Sequence, residues 1–154
     1  MAERFAQQGF RVARRTTLNQ EAGPYDVLIV DTFGELRTLY AVGDVAFIGS
    51  SLVRINERGG GHNPLEPLTH GVIPLYGPFM SLWRPVTEEL HRVWPGLEVG
   101  DAEQLAERAS QVFSGAAPVA AIREVGLRLV DRSAGAVERT AVFLRRHLAL
   151  EEQP

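Results

Sequence analysis

Two short stretches hold residue types at spacings that could do chemistry. The first is Val30-Asp31-Thr32-Phe33-Gly34-Glu35-Leu36. A strand ends at Val30 or Asp31, Thr32 can cap a following helix, and Glu35 falls at its third position. This is the Thr-x-x-Glu pattern of a capping box. Gly34 lets another group approach the backbone closely. The same pattern serves a plainly capped helix, and spacing alone does not separate the two roles. The second stretch is Gly59-Gly60-Gly61-His62-Asn63-Pro64-Leu65-Glu66-Pro67. Asn63 is a good N-cap, and Pro64 is a natural first helical residue because its missing N–H is not needed there. Glu66 again sits at the third position. Three glycines before a helix start expose backbone N–H groups in a loop that leads into a positive helix end, which suits a phosphate or diphosphate. A carboxylate at Glu66 could accept from a pair of ribose hydroxyls. Together these features favour an anion site over a plain capped loop.

Other chemistries find no support in the residue pattern. There is no Gly-x-Gly-x-x-Gly, and no Lys stands near either junction as a P-loop requires. His62, His70, His91 and His147 form no metal-spaced pair. Of these, His62 could touch a ligand. Gly49-Ser50-Ser51-Leu52 is not a nucleophile elbow. No carboxylate pair with an evident acid–base task appears. Trp83 and Trp94 suit packing, and Arg14-Arg15 and Arg145-Arg146 suit solvated surface.

The elements that must position the two stretches are four apolar runs and the helical patterns between them. Phe10–Arg14, Val27–Val30, Val45–Ile48 and Ile73–Tyr76 are expected as strands. The middle two are short, branched and continuously apolar, as for parallel strands covered on both faces. A fifth strand is expected near Leu97–Val99. Helices are expected over Glu35–Val42, Leu65–Thr69, Ala102–Phe113, Val119–Val130 and Ala136–Ala149. Within Ala102–Phe113, Leu105, Ala109 and Val112 share one face, and Glu103, Glu107 and Arg108 share the other. In the last helix Val137, Ala141, Leu144 and Leu148 form an apolar stripe. Strands alternating with helices define an α/β chain with a parallel sheet flanked by helices. Asn56–Gly61 is the most loop-like stretch, and the segment from Arg58 to His62 is expected to be mobile without ligand.

Composition sets the outer bounds. The chain has 154 residues, 45% hydrophobic and 23% charged, which suits one globular domain. A net charge of -3 gives no basic field for nucleic acid, so a nucleic-acid partner is not expected. The absence of cysteine removes disulfides and thiolate chemistry. No run approaches the ~18 apolar residues of a membrane span, and the first ten residues lack the apolar core of a signal peptide. A cytoplasmic setting is the default expectation.

Four motifs follow one another in order: Asp31-Thr32-Phe33-Gly34-Glu35-Leu36, Val45-Ala46-Phe47-Ile48-Gly49-Ser50-Ser51-Leu52-Val53, Gly60-Gly61-His62-Asn63-Pro64-Leu65-Glu66-Pro67, and Gly77-Pro78. This series resembles the C-terminal domain of bacterial 3-deoxy-D-manno-octulosonic acid (Kdo) transferases. The likeness runs from about Phe5 onward and includes Gly135-Ala136 and Arg139-Thr140. Gly-Gly-His-Asn-Pro-Leu-Glu-Pro is its specific element. The resemblance implies a GT-B glycosyltransferase of two Rossmann-like domains. The C-terminal domain would hold the donor CMP-Kdo, and the N-terminal one the lipid A precursor and the catalytic base. It implies metal-independent, inverting Kdo transfer for lipopolysaccharide synthesis at the cytoplasmic face of the inner membrane. By position, Phe33, Gly34 and Glu35 would face the cytidine. Asn63 and the backbone of Gly60, Gly61 and His62 would face the phosphate, Glu66 would hold the ribose, and Ser51 belongs to the same donor set. No catalytic residue, metal ligand or cofactor is expected within this chain.

Three departures qualify the likeness. Asn56 to Arg58 form an insertion before the glycine-rich loop. After Gly77-Pro78 the family carries His and, three positions on, Asn; here Phe79 and Leu82 stand there, with Arg84 a candidate replacement. The family also has strands upstream, ending in Gly-Ser-Thr-His and Pro-Arg-His-Pro segments. Residues 1–154 are therefore expected as a single N-terminally truncated donor domain lacking its first strands. In a 3-2-1-4-5-6 sheet those strands separate Phe10–Arg14 from Val27–Val30. Without them the two could pair directly, the chain could self-associate through unpaired edges, or another polypeptide could supply the missing strands. Two other functions fit the same residues. One is a non-catalytic nucleotide-binding or scaffold module, and the other a GT-B or epimerase-type enzyme using another nucleotide sugar.

Overall fold

The computed structural model describes residues 1–18, 23–54 and 60–148, with backbone alone for residues 136–138. The chain divides into two compact units, residues 1–39 and 40–154.

The first unit holds α1 (Ala2–Gln7), β1 (Val12–Arg14), a 3-10 turn at Arg15–Thr17, β2 (Val27–Ile29) and the start of α2 (Leu36–Tyr40). β1 and β2 pair in parallel, with Val12 opposite Val27 and Arg14 opposite Ile29. β1 and β2 thus pair directly, the first of the three outcomes expected for these strands. At the entrance to the ladder Asp26 accepts from the Arg11 backbone N–H and Nε, each at 2.9 Å, and from Nη2 at 2.6 Å. Among the described residues of this unit, none is buried. That corrects the expectation that Val27–Val30 is covered on both faces: the three ladder residues are half-buried, and Val30 leaves the ladder exposed.

The second unit carries the core. β3 (Val45–Phe47) pairs in parallel with β4 (Ile73–Leu75), Val45 opposite Ile73 and Phe47 opposite Leu75. Only β4 is buried along its whole length. The unit also holds α3 (Leu65–Thr69), α4 (Arg84–Val93), α5 (Ala102–Phe113), α6 (Val119–Ser133) and α7 (Ala136–Leu148). Ile48, Leu68, Ile73, Leu75, Tyr76, Leu90, Leu97, Ile122 and Leu129 form one buried cluster, with Leu105, Ala109 and Val112 of α5 packed on it as the helical pattern predicts. α3 and α4 pack on α6, while α5 and α6 cover β4. The parallel ladders flanked by helices are the α/β arrangement expected.

Several boundaries differ for local reasons. The fifth strand near Leu97–Val99 does not form. Pro95 and Gly96 coil the chain into a 3-10 turn through Leu97, leaving a single parallel bridge between Tyr76 and Glu98. α4 was not anticipated; it starts immediately before Pro85, where the missing N–H costs nothing. α2 begins only at Leu36, its first turn closed by the Leu39 N–H on the Glu35 carbonyl. Arg108 was expected on the exposed face of α5, yet it is half-buried. In α7, Leu144 and Leu148 remain 43% and 59% exposed. Asn56 to Gly59 and Ala149 lie outside the described residues.

Candidate functional site

The first candidate stretch leaves the carboxyl end of β2. Asp31 is tied to the segment that follows β1: its carboxylate accepts from the Thr16 N–H at 3.0 Å and the Thr16 hydroxyl at 2.9 Å, and Arg14 stands at 3.4 Å. These donors, the Thr16 backbone first, hold Asp31 below the usual carboxylate range. Glu35 is held at both oxygens. Oε2 accepts from the Thr32 hydroxyl, and Oε1 accepts from Arg15 Nε at 3.0 Å and Nη2 at 2.7 Å. The Thr32 bond and then the Arg15 bonds lower its pKa. The capping box anticipated here is therefore replaced. Thr32 bonds the Glu35 side chain rather than capping a helix, and the Glu35 carbonyl takes the Leu39 N–H. Between them Gly34 adopts φ +83°, and Phe33 is fully exposed. Arg14 and Arg15, read from sequence as solvated charges, are instead ion-pair partners of Asp31 and Glu35.

The second stretch leaves β3 and enters α3. Ser51 is fully buried, donating to the Ile48 carbonyl at 2.5 Å and accepting from the Gly77 N–H at 2.8 Å. Both functions of its hydroxyl are used within the fold, so Ser51 fastens the ends of β3 and β4 together and its side chain faces no open space. The backbone donors of the glycine-rich loop are also engaged. Gly60 N–H donates to the Phe79 carbonyl at 3.2 Å, Gly61 N–H to Ser50 at 2.7 Å and His62 N–H to Gly49 at 3.1 Å. This corrects the expectation of exposed N–H groups at these three residues. The glycines serve close approach: a Cβ on Gly60 would stand 2.2 Å from the Ser50 carbonyl oxygen, and one on Gly61 2.1 Å from Met80 Sδ. The turn opposite is tight as well, with Ser50 at φ +61°.

What the loop presents outward are side chains. His62 is exposed, its Nε2 3.4 Å from Ser50 Oγ. Asn63 Oδ1 accepts from Leu65 N–H at 2.9 Å, but the cap position of α3 is Pro64, so the expected start shifts by one place: Leu65 is the first helical residue and Glu66 the second. That commits the carbonyl end of the amide. Glu66 is exposed at the start of α3 and lies close enough to Tyr40 to add to the rise in that hydroxyl's pKa, which burial dominates. Tyr40 stacks on His70 with ring centroids 6.3 Å apart.

Beside this loop runs a groove of about 680 Å³, lined among others by Arg54, Phe79, Met80, Arg84, His91 and Arg92. Phe79 occupies a wall of it, Leu82 is exposed nearby, and Arg84 reaches Glu88 at 3.5 Å. Among the described residues, no group of three or more His, Asp or Glu side chains gathers in a way that could hold a metal ion. No helix there is long and apolar enough to cross a membrane.

Comparison with known proteins places this arrangement. No protein-family model matches the chain. The 3-deoxy-D-manno-octulosonic acid transferase of Aquifex aeolicus is 37% identical over 89 residues, covering 58% of this chain and 24% of the relative. That of Bordetella pertussis is 32% identical over 133 residues, 86% of this chain and 30% of the relative. That of Haemophilus influenzae is 28% identical over 149 residues, 96% of this chain and 34% of the relative. The chain thus spans about a third or less of these relatives. Among solved structures, the C-terminal CMP-Kdo binding domain of WaaA from Acinetobacter baumannii superimposes with a TM-score of 0.67 at 26% identity, over 84% of this chain and 69% of that one. The fold is that of the C-terminal half of a GT-B glycosyltransferase. Within that class the chain is homologous to the C-terminal domain of Kdo transferases, as its motifs indicate.

Proposed function

We propose that this chain is the donor-binding part of a Kdo transferase and binds CMP-Kdo. The observation that carries this reading is the shared fold with a CMP-Kdo binding domain over most of the chain, with the Gly-Gly-His-Asn-Pro-Leu-Glu-Pro motif intact at the mouth of α3. On this reading, the turn of Phe33, Gly34 and Glu35 in the first unit meets the cytidine, with the exposed Phe33 ring offering a stacking face. The Asn63 amide NH₂ donates to the phosphate, and the Glu66 carboxylate accepts from the ribose hydroxyls. Gly60 and Gly61 act by shaping the loop, His62 by lying beside the phosphate, and Ser51 by holding the strand ends. The donor's charge is met by side-chain donors, without a metal.

In the whole enzyme the reaction is inverting Kdo transfer to a lipid A precursor at the cytoplasmic face of the inner membrane. The acceptor and the catalytic base come from outside the stretch matched here. Self-association through a free sheet edge belongs to the same proposal.

Calorimetric titration of the full chain with CMP, with UMP and AMP as controls, tests the reading. CMP is expected to bind selectively, and Asn63→Ala and Glu66→Ala each to weaken it about tenfold or more. Equal binding of UMP would point instead to another nucleotide sugar. No binding of any nucleotide by the folded chain would favour a scaffold module.

A further inference from the structure

The Phe33–Gly34 turn has no apolar support of its own. Phe33 is fully exposed, Gly34 sits at φ +83° with open space around it, and the unit to which they belong has no buried residue among those described. A turn of this kind keeps one shape only if something fixes its ends. At one end Asp31 is held by Thr16 and Arg14. At the other, Glu35 is held by Thr32 from within the turn and by Arg15 from the segment after β1. The Thr32 bond closes the turn on itself and fixes nothing outside it. Arg15 is therefore the tie that fastens the far end of the turn to the neighbouring strand, across twenty residues of sequence.

We infer that Arg15 is a positioning residue for nucleobase recognition: two nitrogens of its guanidinium grip Glu35 Oε1 and hold the Phe33–Gly34 turn in the shape that meets the base. Arg15 does not touch the nucleotide. It removes the ordering cost that a free turn would meet on binding. Its planar fork is what allows two donors to reach one carboxylate oxygen; a lysine ammonium could supply the charge but not that geometry. The inference rests on the proposed assignment of this turn to the cytidine.

The test compares CMP with ribose 5-phosphate, which lacks the base, on the full chain and its variants. The unmodified chain should bind CMP more tightly than ribose 5-phosphate. Arg15→Ala should weaken CMP about fivefold, the scale of an exposed charged contact, and leave ribose 5-phosphate unchanged. Arg15→Lys should fall between. Arg11→Ala, which removes the comparable pair with Asp26 at the other end of the ladder, should leave both ligands unaffected. Arg15→Ala that binds CMP as tightly as the unmodified chain overturns the inference, as does equal loss of both ligands. If the alanine variant melts below the working temperature, Arg15→Lys decides: undiminished CMP binding contradicts a role for the fork. An unmodified chain that does not distinguish the two ligands removes the cytidine assignment itself, and Arg15's role with it.

Discussion

Each of the two units of this chain has its own internal source of cohesion. Residues 40–148 enclose a continuous apolar cluster in which Ile73, Leu75, Tyr76, Leu90, Leu97 and Ile122 have no accessible surface. Residues 1–39 bury nothing among the described positions and rely on three ion pairs, Arg11–Asp26, Arg14–Asp31 and Arg15–Glu35, around one short parallel ladder. Apolar burial is insensitive to pH and strengthens in many salts, whereas exposed charge pairs are weakened by both acid and screening. On the proposed function, Asn63 and Glu66 belong to the unit with the apolar core and the Phe33–Glu35 turn to the unit held by charge pairs. Binding loops are commonly drawn from the less stable end of a fold.

This contrast can be broken or sharpened by experiment. The largest effects should come from the core of the second unit. Ile122→Ala should destabilise it by about 2–5 kcal/mol, measured by urea unfolding. Gly77→Ala comes next, at about 1–3 kcal/mol. Its Cβ would stand 2.3 Å from the Ser51 carbonyl oxygen and 2.6 Å from Leu52 Cα, both backbone atoms that cannot step aside as a side chain can. Ser51→Ala leaves the Gly77 N–H unpaired and should cost about 1–3 kcal/mol by the same measurement. An Ile122→Ala chain that unfolds at the same urea concentration as the unmodified one would remove the apolar core from the account.

Acid should act on the first unit. Asp26 is held well below the usual carboxylate range by Arg11, and Asp31 and Glu35 are lowered as well, each in an exposed setting. Lowered folded-state pKa values mean that these pairs contribute fully above the unfolded value of about 4 and lose their contribution as pH falls through the folded values. Amide protection at residues 12–14 and 27–29, followed by hydrogen exchange, should therefore fall below about pH 4 while that of β4 persists. Salt should give the smallest effect, a modest loss at the same amides in about 1 M NaCl. Equal losses in β4 would contradict the division of forces.

How far the sequence discloses this molecule depends on whether a signal is local. α5 begins where Asp101 supplies a cap, its Oδ1 accepting from the Gln104 N–H at 2.8 Å, and Asn63 bonds the Leu65 N–H from just before the cap position of α3. Both helices match their expected spans. α4 was not among the expected helices, although Val86, Leu90 and Val93 at helical spacing carry its signal. The engagement of Gly60, Gly61 and His62 could not be read, since their acceptors lie on two other segments of the chain. The Arg15–Glu35 pair is invisible for the same reason: spacing shows two adjacent arginines, and only the parallel pairing of β1 with β2 brings one of them to the turn.

The most direct measurement is hydrogen exchange of the full chain with and without CMP, with UMP as control. The account predicts that CMP raises protection in both units, at residues 27–36 and around residues 63–66, with the larger gain in the first because it starts from less, and that UMP does neither. A folded chain whose exchange is unchanged by saturating CMP, or is changed equally by UMP, would contradict the assignment of this chain as a CMP-sugar donor domain.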